Sequence, residues 1–127
     1  MGFELKQHFQ IESARFLPHL DKNHPCSRMH GHSFKVILVL RGKLDPKLGW
    51  LRDYHEISQI AGKVLDKLDH RVLNEISGLE NPTSENISAW LYWQFKPLLP
   101  ELFEVSVQET PLTECTFRPS SGDASCP

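Results

Sequence analysis

The chain reads as an α+β domain, an antiparallel four-stranded sheet with two helices on one face. Three observations carry that expectation. Apolar and polar residues alternate with period two over residues 3–14, 32–44 and 102–109. Two other stretches, 53–68 and 83–97, space their apolar residues as a helix does. The resulting order, β-β-α-α-β-β, is that of a sheet with its helices gathered on one side. With 127 residues the chain can bury one core of its own. The expected division is a single domain over residues 1–118 and a frayed tail over residues 119–127.

Each element has its own justification. In the first strand, Phe3 to Ala14, Phe3, Leu5, Phe9 and Ile11 alternate with Glu4, Lys6, His8, Gln10 and Glu12. Phe16 to Met29 holds Pro18, Asp21, Asn23 and Pro25 and reads as a long loop, a length usually tied to function or mobility. In the second strand, His32 to Leu44, the residues Phe34, Val36, Leu38 and Leu40 share parity with His30 and His32. Ile37 and Val39 are apolar too, so the middle of this strand is expected to be covered on both faces. Asp45 to Gly49 is a turn. The first helix, Asp53 to Leu68, starts on an Asp53 cap with Glu56 completing a capping box. It buries Ile57, Ile60, Ala61, Val64, Leu65 and Leu68. Thr83 or Ser84 caps a second helix that runs to about Pro97 and buries Ile87, Trp90, Leu91, Phe95 and Leu98. Leu102 to Glu109 forms a third strand, with Phe103, Val105 and Val107 pointing one way and Glu104, Ser106 and Gln108 the other. Glu114 to Arg118 is a short fourth strand.

Composition narrows the function classes. A net charge of -2 argues against nucleic-acid binding driven by phosphate neutralisation. No apolar run approaches membrane-spanning length, and Met1 to Lys6 lacks the apolar region of a signal peptide. Three widely spaced cysteines fit free thiols in a reducing cytoplasm better than a disulfide scaffold.

The chemistry-bearing residues centre on Cys26-Ser27-Arg28-Met29-His30-Gly31-His32. Histidines at i and i+2 of a strand share a face, and adjacent imidazoles can hold a divalent metal. Cys26 is a further ligand, or a thiolate base or nucleophile beside the metal. Gly31 admits a close approach by another backbone or a ligand. Most His-x-His pairs are ordinary surface or core histidines, so the pair needs company. Glu109 continues the parity of Val105 and Val107, and Arg15 that of Ile11 and Ser13. Both therefore point inward, unless strand ends carry them into solvent. Asp69-His70 pairs an acid with an imidazole, read either as a proton relay or as a helix end with a favourable cation. His19 and His24 are loop histidines, and Cys115 and Cys126 look structural or incidental. Trp90 falls on the helix stripe and reads as core.

Taken in order, five motifs resemble one family. They are Cys26-x-x-x-His30-Gly31-His32-Ser33-Phe34, Gly49-Trp50-Leu51-x-Asp53, Leu68-Asp69-His70-x-x-Leu73-Asn74, Gly78 through Glu85, and Val107-Gln108-Glu109-Thr110. Together they resemble the 6-pyruvoyltetrahydropterin synthase family over nearly the whole chain, from Phe3 to about Arg118. The three-residue gap between Cys26 and His30 resembles its carboxy-synthase, queuosine-pathway branch. The resemblance implies a tunnelling fold whose subunits close their sheets into a barrel, usually a hexamer, with active sites at subunit contacts. It implies conversion of 7,8-dihydroneopterin triphosphate to 6-carboxytetrahydropterin, acetaldehyde and triphosphate. It further implies zinc on His30 and His32 as a Lewis acid, Cys26 as the base, Asp69-His70 as relay, Glu109 as anchor of the pterin N–H edge, and Thr83 as an added contact. Lys22 and Arg28 are candidates for the triphosphate. A pyruvoyl-type lyase and a non-catalytic pterin binder are the alternatives.

One position departs from the pattern. The family's first zinc histidine follows the first strand, and the matching stretch here is Ser13-Ala14-Arg15-Phe16-Leu17-Pro18. Arginine stands where a ligand is expected, and a protonated guanidinium has no lone pair for a metal. Three readings stay open at this point. Zinc binds through His30, His32 and another group, such as a loop histidine or Cys26. Alternatively, Arg15 replaces the metal's charge and pairs with Glu109 or a substrate oxygen. In the third reading the chain is a diverged pterin binder.

Overall fold

The structure, a computed structural model, describes residues 2–120. Its elements run β1 (Phe3–Arg15), β2 (His30–Gly42), α1 (Tyr54–Leu65), α2 (Ser84–Phe95), β3 (Leu102–Thr110) and β4 (Thr113–Phe117). Single 3₁₀ turns lie at Pro25–Ser27 and Leu73–Glu75. The four strands form one antiparallel sheet, as expected, and their order in it is β1-β2-β3-β4. Of the expected tail, Pro119 and Ser120 have no regular structure, and 121–127, Cys126 included, lie outside the described residues.

β1 and β2 pair without interruption from Phe3 opposite Gly42 to Arg15 opposite His30. With period-two alternation this register fixes the face of every side chain. The odd residues of β1 and the even residues of β2 face the helices. Along β1, burial on that face rises from Phe3, 54% exposed, to Ile11 at 1%. Phe34, Val36, Leu38 and Leu40 of β2 join Val105 and Val107 of β3 in the core, against Ile57, Ala61 and Val64 of α1 and Ile87, Leu91 and Phe95 of α2. Each such side chain contributes about 1.5–3 kcal/mol of burial. Ile37 and Val39, on the opposite face of β2, are also buried, as their apolar character requires.

The helices start as expected and stop early. Asp53 accepts a hydrogen bond from the His55 N–H (2.9 Å), but Glu56 does not complete a capping box. Arg52 takes it in an i,i+4 ion pair and also reaches Glu101 at 3.0 Å. α1 ends at Leu65 rather than Leu68. The chain then turns, and Leu68 is fully buried from the turn. Thr83 caps α2 by accepting from the Asn86 N–H (3.1 Å), and the helix ends at Phe95. Leu98 and Leu99 N–H groups both donate to the Phe95 carbonyl (2.9 and 2.8 Å), a tightening that leaves Leu98 exposed and puts Leu99 in the core instead. Trp90 packs at the core's edge, partly buried.

One expectation for β3 is overturned. Leu40 pairs with Leu102 and Val39 with Glu104, so Phe103 is the extra residue of a β-bulge. It leaves the core parity to Leu102. Phe103 instead lies beneath two guanidinium groups, Arg41 at 3.6 Å and Arg118 at 4.7 Å from its ring centroid. β1 and β4 are the two edges, and part of the β1 edge is met by Val72, which bridges Ala14 in parallel. No helix among the described residues is long and apolar enough to cross a membrane.

Candidate active site at the end of the sheet

Register gathers Arg15, His30, His32 and Glu109 at one end of the sheet, and α2 delivers Ser84 to the same place. Parity carries Arg15 to the helix-covered face, where it is 3% exposed. Burying a cation costs several kcal/mol unless it is paired. Here Nη2 pairs with Glu109 Oε1, Nη1 donates to the Pro82 carbonyl (2.8 Å), and the guanidinium lies 5.0 Å from the Phe34 ring centroid. Nε is buried without a partner.

Glu109 is inward and not dry, with its side chain 24% exposed. Its Oε1 meets Arg15 and its Oε2 accepts from the Ser84 hydroxyl. A carboxylate has about four acceptor positions, so roughly two remain for a ligand's N–H groups. His32 Nε2 stands 3.8 Å from Glu109 Oε1, too far for a hydrogen bond.

His30 and His32 are oriented by backbone. The Nδ1 of His30 lies 2.7 Å from the Arg28 carbonyl, and that of His32 lies 2.6 Å from the Ser33 carbonyl. A carbonyl only accepts, so each Nδ1 carries a proton, and in the neutral imidazole Nε2 is the nitrogen with a lone pair to offer. The rings are 6.4 Å apart. Gly31 meets no close neighbour, since a Cβ there would find nothing within 4 Å in this chain.

Zinc does not fit this donor set. A catalytic site takes three protein ligands and a solvent position. Two imidazole nitrogens are available, and the third place belongs to a cation. Two unit charges 4 Å apart interact by about 4 kcal/mol at an effective dielectric of 20, and a divalent ion beside Arg15 meets repulsion of that order or more. The carboxylate beside the histidines is already engaged by Arg15. Among the described residues no group of three His, Cys, Asp or Glu side chains could hold a metal ion. His19 and His24 do not supply the missing ligand: both are exposed, and His24 Nδ1 accepts from the Cys26 N–H (3.1 Å), capping the 3₁₀ turn.

Cys26 is a half-buried free thiol in that turn, where its carbonyl accepts from the Leu17 N–H (2.7 Å). No hydrogen bond among the described residues joins it to Asp69 or His70. Those two lie neither in the helix nor in its last turn. They run along the β1 edge, where Asp69 Oδ1 accepts from the Glu12 N–H (2.8 Å) and the His70 N–H donates to the Glu12 carbonyl (2.5 Å). His70 adopts the left-handed conformation (φ 58°), uncommon for a residue with a Cβ. Its ring is 78% exposed, with Nδ1 3.0 Å from Asp69 Oδ2. An open cleft of about 530 Å³ lies beside it, lined by Glu12, Ser13, Ala14, Gly31, His32, Ser33, His70, Arg71 and Val72. A second, of about 480 Å³, includes Lys35, Gln108 and Glu109 in its lining. Lys22 and Arg28 are both exposed on the loop.

The Glu12 N–H, then His70, hold the Asp69 carboxyl below the ordinary carboxylate range, against the opposing effect of burial. A carboxyl whose folded pKa is depressed stabilises the fold fully above its ordinary value and loses that contribution as pH falls through the folded one. Asp69→Asn is therefore expected to lower the urea midpoint at pH 7 and to match the parent near pH 2–3. Equal midpoints at both pH values would show that the contact carries no stability.

Three contributors escaped sequence reasoning. Asn74 clamps the backbone just after Arg15, accepting from the Phe16 N–H (3.0 Å) and donating to its carbonyl (2.8 Å). The Pro82 carbonyl and the Ser84 hydroxyl hold Arg15 and Glu109. A signal for Ser84 existed, because of the adjacent Thr83 and Ser84 only one can cap the helix. Thr83 is that cap, which commits its oxygen as an acceptor.

An antiparallel sheet with helices on one face, ending in an inward carboxylate and an oriented histidine pair, is the arrangement that the tunnelling fold leads one to expect. The chain belongs to the 6-pyruvoyl tetrahydropterin synthase family, whose profile matches residues 4–120. A 6-carboxy-5,6,7,8-tetrahydropterin synthase from Synechocystis is 36% identical over 108 residues, 80% of this chain and 82% of that protein. A protein of the same name from Bacillus subtilis is 28% identical over 95% of this chain and 88% of its own length. A dihydroneopterin monophosphate aldolase from Pyrococcus furiosus is 34% identical over 65% of this chain and 68% of its own. In structure, 6-pyruvoyl tetrahydropterin synthase from Caenorhabditis elegans superimposes with a TM-score of 0.86 at 24% identity, covering 94% of this chain and 97% of that one.

Proposed function

We propose that this chain is a lyase that converts 7,8-dihydroneopterin triphosphate and one water to 6-carboxytetrahydropterin, acetaldehyde and triphosphate, the step that leads towards queuosine and other 7-deazaguanines. The observation that carries this reading is the Glu109 carboxylate, held by Arg15 and Ser84 with acceptor positions to spare. A pterin presents adjacent N–H donors on one edge, and a fixed carboxylate matches that edge through charge-assisted bonds. The similarity to two proteins named for this reaction, over most of the chain, supports it.

Residue roles follow from chemistry and position. Glu109 anchors the pterin, and Thr83 adds a contact near the start of α2. Cys26, as the thiolate, removes protons from the substrate side chain. Asp69, ionised through its backbone bond, orients His70 as the relay. His70 is largely exposed at the β1 edge, beside an open cleft that His32 also lines, which supports a site completed by a neighbouring subunit. Open edges at β1 and β4 support an assembly, a hexamer or another ring, that closes the sheets into a barrel. The free thiols of Cys26 and Cys115 support a cytoplasmic setting. Supplying dihydroneopterin triphosphate and identifying the products tests the reading: acetaldehyde with 6-carboxytetrahydropterin is expected. A pyruvoyl or aldol-cleavage product would assign a neighbouring activity instead, and affinity without turnover would leave a pterin binder.

A further inference from the structure

We propose that this is a metal-independent pterin site in which Arg15 is the resident cation, its guanidinium held on Glu109 and donating a hydrogen bond to an oxygen of the ligand's side chain. The ligand class rests on the pterin reading above; the metal independence rests on the chain's own residues.

Four observations converge. Arg15 ends β1 directly opposite His30, on the helix-covered face, and its guanidinium is paired with the same Glu109 oxygen that faces His32 Nε2 at 3.8 Å, so a cation already stands beside the histidine pair. It is locked there by Glu109, the Pro82 carbonyl and the Phe34 ring, and the Asn74 clamp fixes the backbone at the next residue. Glu109, the acid nearest His32, is engaged by Arg15 and unavailable as a third ligand. Finally, the buried Arg15 Nε–H has no partner. Buried donors are almost always satisfied, and an acceptor that arrives with a ligand is one way to satisfy an orphan in a polar site. An oxygen with lone pairs on the substrate side chain supplies that acceptor. The guanidinium cannot be deprotonated near neutrality, so it polarises that oxygen by charge and hydrogen bonding and never as a base.

The test has two arms on the full chain. In the first, protein purified without added metal and dialysed against a chelator is titrated with zinc against a chromophoric competitor, with elemental analysis of the bound fraction. The wild type is expected to hold zinc only substoichiometrically. Arg15→His is expected to gain roughly one ion per subunit, with affinity raised on the order of 100-fold or more. One tight zinc per wild-type subunit would overturn the proposal, as would an Arg15→His protein that folds and binds no more zinc than the parent. In the second arm, the stripped wild type is assayed for pterin turnover with and without zinc. Equal rates support the proposal, and turnover that requires zinc overturns it while leaving the enzyme reading intact. Loss of turnover in both conditions sinks the enzyme reading, and the first arm still judges the metal. Arg15→Lys, which keeps the charge but not the Nε–H, serves where Arg15→His does not fold, and it is expected to lose pterin affinity with no gain of zinc.

Discussion

Glu109→Ala is expected to lower the melting temperature by roughly 10 °C and, on the proposed pterin reading, to weaken pterin binding at least about 100-fold. The stability figure comes from what the substitution strands. Removing one partner of a buried pair typically costs about 3–5 kcal/mol, because the other charge stays buried and unpaired. Glu109 is partly exposed, so about 3 kcal/mol is expected, which in a domain of this size corresponds to roughly that temperature shift. The affinity figure comes from two charge-assisted bonds to the pterin edge, each worth about 1.5–3 kcal/mol. A double substitution separates the two effects. Arg15→Met with Glu109→Ala removes both charges, and is expected to recover much of the stability and none of the affinity. Melting curves and a pterin fluorescence titration on the parent and the two variants check this. If Glu109→Ala bound pterin as tightly as the parent, Glu109 would be a structural partner of Arg15 alone.

Cys26→Ala is expected to lower turnover by about 100- to 10,000-fold, the range that a positioned base contributes. Pterin affinity should change little, because Cys26 lies in the 3₁₀ turn and takes no part in the Glu109 cluster. Stability should hold as well, since the turn is fixed by backbone bonds and the His24 cap rather than by the thiol. The measurement is kcat against dissociation constant for the two proteins. A parallel loss of binding and rate would show that Cys26 shapes the pocket, and an unchanged rate would remove it from the chemistry.

Strand alternation made the inward residues legible. An uninterrupted β1–β2 register preserves parity over its full length, so Arg15, His30 and His32 could be assigned a face from their neighbours alone. The same reasoning failed at Phe103, because the bulge inserts one residue and shifts the faces of what precedes it. The bulge has no local signature in Leu102-Phe103-Glu104, and the stack that receives Phe103 comes from residues far off in sequence, Arg41 on the neighbouring β2 and Arg118 just past β4. Helix ends were legible at their caps and not at their stops. α1 gives way early because Leu68 must be buried and Asp69 must meet the Glu12 N–H, and neither demand is visible within the helix's own residues. The site was legible as a set of residue types, and its wiring was not. Arg15 and Glu109 are 94 residues apart and Ser84 and Glu109 25, so their pairing is a product of the fold.

The most direct test of the central claim is product analysis with dihydroneopterin triphosphate and chelator-treated protein. Acetaldehyde and 6-carboxytetrahydropterin are expected in equal amounts, formed without added zinc and lost in Glu109→Ala. Contradiction would take the form of no pterin product under any metal condition, or of turnover undiminished when Glu109 is removed.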